Sequence, residues 1–317
     1  MKQGCSGDRA SGAFTPAQHD FTIRMSTLLI TGAGGLLGKA AVEAAVAHGH
    51  AVTALYHSPP AHTPGARIVT ADLKDHAAIA ALIETTRAGW IIHAAAHASP
   101  DFCEDHPDEA WAVNADATRN IAQAAARAGS RVLYVSTDSV FDGARGNYSE
   151  TDATNPISVY ARAKLAGEQA VLAASPGNLS VRTTLIGWGA KKPNLAELVF
   201  RRLGQGSAMT GYADVIFTPL PVWTLSEIML CAIGRSLAGI WHVASADACS
   251  KYEFCRRLAR QFGFDPGLVR PVSVDSAGLR APRPKNASLN TAKITAALGR
   301  PMPAIDEGIA EFAARRP

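Results

Sequence analysis

Tyr160 and Lys164 stand four residues apart, a spacing that puts both side chains on one helix face, about one turn from each other. Their neighbours keep the same period. Tyr160, Ala163, Lys164, Gly167, Glu168 and Val171 recur at helical spacing, and Ser175-Pro176-Gly177 supplies a stop. An isolated phenol titrates near ~10, and an adjacent ammonium favours the phenolate. The pair is therefore expected to form a proton donor whose pKa is lowered toward the working range. Tyrosine and lysine also share this spacing on ordinary surface helices, so the chemistry rests on the segments upstream.

The apolar run Thr27-Leu28-Leu29-Ile30 leads straight into Thr31-Gly32-Ala33-Gly34-Gly35-Leu36-Leu37-Gly38, and an alanine-rich helical pattern follows as far as His48-Gly49. Strand, glycine turn and helix in that order are what a dinucleotide-binding turn requires. Gly32 permits the tight turn, Gly35 admits a pyrophosphate to the backbone, and Gly38 lets the helix pack against the sheet. Gly34, Leu36 and Leu37 complete the cradle, where free N–H groups at the helix start meet phosphate.

The second strand, residues 51–56, ends at His57-Ser58. A carboxylate there would hold the adenosine 2′-hydroxyl of NAD. None is present, so NADP(H) is favoured with NAD(H) as the alternative, and His57 and Ser58 are neutral partners for a 2′-phosphate. The rival reading is a plain loop. Residues 67–69 form another short strand. Asp72-Leu73 beyond it could meet the adenine amino group, or Asp72 could cap a helix beginning near Lys74.

Residues 90–96 read as a buried strand ending in Ala94, Ala95 and Ala96, small enough for a cofactor to lie against the backbone. His93 is read as a packed histidine rather than a catalyst. Residues 110–128 read as one long helix ended by Gly129. It carries Asn114, which is unfavourable in a helix interior and so marks either a functional or a solvated position. Residues 131–135 form the next strand and deliver Ser136-Thr137-Asp138-Ser139 to its carboxyl end, where ligands bind in open α/β sheets.

Strands alternate with helices from Thr27 to Thr183, so the expected fold is α/β, a Rossmann-type doubly wound parallel sheet. Beyond Gly187 glycine, proline and basic residues interrupt the pattern. Helices are expected at 195–203 and 251–262, and a late strand at 240–243 returns to the sheet. The expected organisation is a disordered extension over 1–24 with Met25 as the functional start, a dinucleotide-binding domain over 25–187, and a mainly substrate-binding region over 188–317.

At 317 residues, with 47% hydrophobic and 18% charged side chains, the composition is that of a soluble globular enzyme. No apolar run reaches membrane-spanning length, since the best candidate, 228–246, is broken by Arg235 and His242. The five cysteines are odd in number and form no CxxC pair. That argues for a reducing, cytoplasmic setting and against a disulfide framework or structural zinc. Residues 1–24 lack the apolar segment of a secretory signal. Residues 1–150 carry 11 basic and 15 acidic side chains, net −4, against 20 and 12, net +8, in residues 151–317. The basic second half suits an anionic small molecule, and the absence of basic–aromatic interleaving argues against nucleic acid.

Taken together, Thr31–Gly38, Asp72-Leu73, Ala94–Ala96, Asn114, Thr137 and the Tyr160/Lys164 pair resemble the extended short-chain dehydrogenase/reductase family. Ser136-Thr137-Asp138-Ser139-Val140-Phe141-Asp142-Gly143 is similar to the STDxVFDG stretch of its dTDP-4-dehydrorhamnose reductase-like branch. The proline-led run from Asn155 to Glu168 is similar to that branch's YxxxKLxGE helix, and Arg182-Thr183 and Arg283-Pro284-Lys285-Asn286 also fit. The likeness runs from about Leu28 nearly to the end of the chain.

The resemblance implies that Tyr160 is the acid and that Lys164 holds the nicotinamide ribose and lowers the tyrosine pKa. It implies that Thr137 hydrogen-bonds the substrate carbonyl and that Asn114 serves structure and proton relay. Asp138 and Ser139 fall on the substrate side, and Arg283 and Lys285 are the candidates for a diphosphate. Two features depart from the pattern: Ser139 stands where the related 4,6-dehydratases carry Glu, and residues 211–219 differ from the reductase substrate loop. The expected function is NAD(P)H-dependent reduction of a 4-keto nucleotide sugar. The alternatives are an epimerase on the same scaffold and a non-catalytic NADP-binding subunit resembling that of methionine adenosyltransferase. Neither nucleic acid nor membrane is an expected partner, and assembly as a homodimer is left open.

Overall fold

The computed structural model describes residues 25–58, 64–189 and 193–317. The extension expected over 1–24 lies outside the described residues. Among those residues, seven strands form one sheet: β1 (Thr27–Thr31), β2 (Ala51–Tyr56), β3 (Ala66–Thr70), β4 (Trp90–His93), β5 (Arg131–Val135), β6 (Leu179–Arg182) and β7 (Gly239–His242). Their order is β7-β6-β5-β4-β1-β2-β3 and every neighbouring pair is parallel. Strands covered on both faces must be apolar throughout; Leu28, Leu29 and Ile30 of β1 are all buried. The order reverses between β1 and β4, which opens a crevice at the carboxyl ends of the strands.

One face of the sheet is covered by the helix Leu36–Ala47, through Leu37, Ala41 and Val42, together with Leu225 and Met229 of the helix Val222–Gly234. The other carries the helices His76–Thr86 and Ala117–Ala128, whose Ile79, Ile83, Ile121 and Ala125 pack against it. A third core joins the helices Leu195–Gly204, Lys251–Gln261 and Ile305–Ala314 through Val199, Phe254, Leu258 and Phe312. After Gly187 the chain alternates between the two halves, and Ile294 and Leu298 return to the sheet core before Ile305 and Phe312 close the third one. Both Val222–Gly234 and β7 belong to the sheet half, and the third core forms the wall opposite the strand ends.

Two expected elements change on folding. The strand expected over 90–96 ends at His93, so Ala94–Ala96 run as irregular chain across the crevice floor. The single helix expected over 110–128 is three pieces: Pro107–Trp111, a π-turn Ala112–Asp116, and Ala117–Ala128. Asn114 sits in the π-turn, a local widening that inserts one residue and often marks a functional position. Asp72 is not a helix cap. Its Oδ1 accepts from the Lys74 N–H at 2.9 Å, while Asp75 caps the helix by accepting from Ala78 N–H at 3.0 Å.

Candidate active site

Two adjoining cavities line the carboxyl ends of the strands. The first, about 750 Å³, is walled by Gly32, Gly34, Gly35 and Leu36, by Tyr56, His57 and Ser58 after β2, and by Asp72, Leu73 and Ala94–Ala96. Gly32 has φ +70°, and a Cβ there would stand 2.7 Å from Ala95 Cα, so the turn accepts glycine alone. Gly35 is the N-cap of the helix and brings no side chain to its N–H groups, and the first turn holds no carboxylate. An uncapped N-terminus of this kind favours an anion, and a dinucleotide phosphate fits it. Gly38 lies behind the cavity. A Cβ on it would collide with the Gly32 carbonyl, so Gly38 packs the helix against the turn rather than against the sheet.

The second cavity, about 690 Å³, shares Gly35, Leu36, Ala94 and Ala96 with the first, so the two form one continuous groove. Leu37, Thr137, Asp138, Ser139, Tyr160 and Lys164 line it. The helix Val159–Ala174 that presents Tyr160 and Lys164 is capped by Ser158, whose hydroxyl accepts from Ala161 N–H at 3.3 Å. Thr137 and Tyr160 line this cavity together. Burial raises the phenol pKa, the Thr137 contact opposes this, and the Asp138 charge raises it further. The expected lowering of the tyrosine pKa is therefore not what the fold produces. Desolvation outweighs the Thr137 contribution, and the phenol stays protonated.

Lys164 is 3% exposed, donates from Nζ to the Val135 carbonyl at 2.7 Å, and lies 4.0 Å over the Tyr134 ring. Burial pulls its pKa down to about 7 against the opposing charge of Glu168. Asn114 is buried and clamps His97: its Oδ1 accepts from the His97 N–H at 2.9 Å and its Nδ2 donates to the His97 carbonyl at 3.0 Å. The solvated reading of Asn114 is thereby excluded. His93 is fully buried between the hydroxyls of Thr31 at 2.6 Å and Thr118 at 2.9 Å, with its pKa lowered to about 3 by burial. It is a packed neutral histidine, as expected.

Asp138 receives the hydroxyls of Thr137 and Ser139, each at 3.1 Å, and that of Thr184; burial raises its pKa.

Residues 25–316 match the family described as the RmlD substrate binding domain. The dTDP-4-dehydrorhamnose reductase of Mycobacterium tuberculosis is 36% identical over 278 residues, which cover 84% of this chain and 86% of that protein. The dTDP-4-dehydrorhamnose reductase of Bacillus anthracis, solved in complex with NADP, is similar with a TM-score of 0.83 and 29% identity, covering 92% of this chain and 100% of that one. The chain belongs to the RmlD branch of the extended short-chain dehydrogenase/reductases. Methionine adenosyltransferase 2 subunit beta of Xenopus laevis is also 31% identical over 286 residues, 87% of this chain and 84% of that one.

Several motif positions of the RmlD branch have structural duties here. Asp142 accepts from the Tyr148 hydroxyl at 2.7 Å and from Asn155 Nδ2 at 3.0 Å. The Gly143 carbonyl accepts from Asn286 N–H at 2.9 Å, so the Phe141-Asp142-Gly143 run pins the late segment that carries Arg283. Gly167 is required because a Cβ there would approach the Asn114 carbonyl to 2.5 Å.

Arg283 lines the cleft, with Nη2 2.8 Å from Asp101 Oδ2. Lys285 does not. Its ammonium is held by Asp275 at 2.5 Å and Asp214 at 3.5 Å on the outer face, so the expectation that it lines the substrate site is corrected. The backbone decides this, since the Lys285 carbonyl accepts from Ile216 N–H at 2.7 Å while Pro284 and Ala287 turn inward. Sequence reasoning missed Asp101, Thr184 and Lys251, all of which border or brace the cleft. Only Thr184, beside the Arg182-Thr183 match, carried a signal that could have found it. Among the described residues no group of three or more His, Cys, Asp or Glu side chains could hold a metal, and no helix is long and apolar enough to cross a membrane.

Proposed function

We propose that the protein is an NAD(P)H-dependent reductase of a 4-keto nucleotide sugar, of the dTDP-4-dehydrorhamnose reductase type, with NADPH the favoured donor, working in the cytoplasm. The observation that carries this reading is that Thr137, the protonated Tyr160 phenol and Lys164 line the second cavity where the nucleotide groove opens into it.

When bound, the dihydronicotinamide supplies a hydride to the carbonyl carbon. Tyr160, and Thr137 once its hydroxyl turns from Asp138, take the carbonyl oxygen between two hydroxyl donors, which is where negative charge builds in the transition state. Tyr160 then gives its proton to the forming alkoxide. Lys164 holds the nicotinamide ribose in this reading, and Asn114 fixes the His97 backbone at the groove wall. The uncapped helix start at Gly35 holds the pyrophosphate, with His57 and Ser58 at the adenosine end. Ser139 cannot serve as the acid that removes the C6 hydroxyl in a dehydratase, and the Asp138 carboxylate beside it is engaged by three hydroxyls.

The test is a panel of nucleotide-linked 4-keto-6-deoxy sugars assayed for NADPH and NADH oxidation. One NADPH consumed per product is the expected result. Product without net oxidation is the epimerase outcome. Turnover of no sugar, with stable co-purification of a synthetase, is the regulatory-subunit outcome.

A further inference from the structure

Three cations line the second cavity, and their states differ. Lys164 is spent on the Val135 carbonyl, and Arg283 on Asp101 and the Ala281 carbonyl, each at 2.8 Å. Lys251 is the third. Among the described residues its ammonium has no hydrogen-bond acceptor and no carboxylate within 4.0 Å; it lies over the Phe217 ring, 5.8 Å from Nζ to the centroid.

Lys251 is also rigidly placed. It is the first residue of the helix Lys251–Gln261, and its N–H donates to the Val215 carbonyl at 2.9 Å. The two residues before it pair antiparallel with Ile216 and Phe217. A cation held by backbone at one end, with an unsatisfied head in a cleft, is costly unless a ligand completes it. Its neighbours by charge are Asp138, Arg283 and Cys255. Asp138 is already satisfied by three hydroxyls, and Arg283 adds a second positive charge. The missing partner is therefore an anion from outside the chain.

Resting on the reductase reading, we propose that Lys251 binds the diphosphate of the nucleotide-sugar substrate and thereby positions the sugar against Thr137 and Tyr160. The geometry of such a substrate agrees. The diphosphate sits on C1, across the ring from the reacting C4, so an anion anchor is needed one ring's width from the proton donor. Lys251 lines the same cavity as Thr137 and Tyr160 and supplies that anchor from the wall opposite the strand ends.

The experiment uses the full chain with NADPH and measures binding of dTDP and UDP by calorimetry, alongside sugar-nucleotide kinetics. Lys251→Met keeps the apolar stem over Phe217 and should weaken the nucleoside diphosphate about tenfold to a hundredfold, the weight of one charged hydrogen bond. KM should rise with kcat little changed, and Lys251→Arg should recover most of the affinity. Lys285→Ala should change none of these. Unaltered thermal unfolding and NADPH affinity show that the Met variant is folded. A folded variant with unchanged diphosphate affinity overturns the proposal. So does a loss confined to the sugar nucleotide, which would put the ammonium on the sugar, and so does a wild type that binds neither diphosphate while reducing its substrate. NADPH oxidation by the unaltered protein reports separately on the reductase reading.

Discussion

The Nζ of Lys164 donates to the carbonyl oxygen of Val135, the last residue of β5, at 2.7 Å. The helix face and the strand end are thus tied together by the same ammonium that faces the groove. This tie makes a first prediction. Burial holds the Lys164 pKa at about 7, below its ordinary 10.5. Between these values the unfolded chain binds a proton that the folded one has released, so stability rises with pH through that window. Lys164→Met should remove this slope. Denaturant unfolding of both proteins from pH 6 to 10 checks it, and parallel curves would refute it. The same variant should lose cofactor affinity and turnover together.

Tyr160 provides the second prediction. Its phenol is kept protonated by burial, so the acid form is the stored form at neutral pH. Tyr160→Phe should lower turnover by ~10²–10⁴, the usual weight of a general acid, with NADPH affinity preserved. Thr137→Val removes the second hydroxyl and should cost roughly 10²–10³ in kcat. Single-turnover kinetics with saturating cofactor separates these effects from binding. Normal turnover in Tyr160→Phe would show that another group delivers the proton.

The parts of this protein that were legible in the sequence are those where one residue type has one physical use. A glycine at φ +70° beside Ala95, an alternation of apolar runs with helices, and a tyrosine one turn from a lysine each leave a local signature. The parts that were not legible depend on long-range packing. Nothing near Asn114 announces the π-turn, whose Asn114 side chain closes on the His97 backbone 17 residues away. The direction of the Tyr160 pKa shift is not legible for the same reason: a neighbouring charge shows in the sequence, and desolvation by the folded cleft does not. Arg283 and Lys285 looked alike, two residues apart, yet backbone pairing with Ile216 sends one inward and the other to Asp275. Lys251 carried no motif at all.

A third prediction concerns the run that follows Lys164. Glu168 is 1% exposed and meets Arg182 through two contacts, Nη2 to Oε1 at 2.6 Å and Nε to Oε2 at 3.1 Å, with the Ser180 hydroxyl at 2.9 Å. This pair bolts the catalytic helix to β6 from behind. Removing one charge of a buried pair strands the other, which typically costs ~3–5 kcal/mol. Glu168→Gln should lower unfolding stability by about that amount and leave NADPH affinity intact in the protein that remains folded. A change below ~1 kcal/mol would mean that Arg182 finds another acceptor, and its unsatisfied Nη1 argues that none is near.

The last prediction separates charge from structure in the substrate cleft. Arg283 donates to Asp101 at 2.8 Å, and Asp101 also accepts from the Ala281 N–H at 3.0 Å, so the carboxylate is held at the rim by two donors. Arg283→Ala removes one positive charge and also exposes the negative one it covered. An anionic substrate then meets an uncovered carboxylate at the rim. KM should rise roughly tenfold to a hundredfold, since charged contacts weigh about 1.5–3 kcal/mol each. Asp101→Asn added to Arg283→Ala should recover part of that loss, because the neutral amide no longer repels the diphosphate. Steady-state kinetics of the two single variants and the double variant measures the coupling. If Asp101→Asn brings no recovery, the loss lies in the loop that Arg283 braces through the Ala281 carbonyl, and the guanidinium is then a strut rather than a substrate contact.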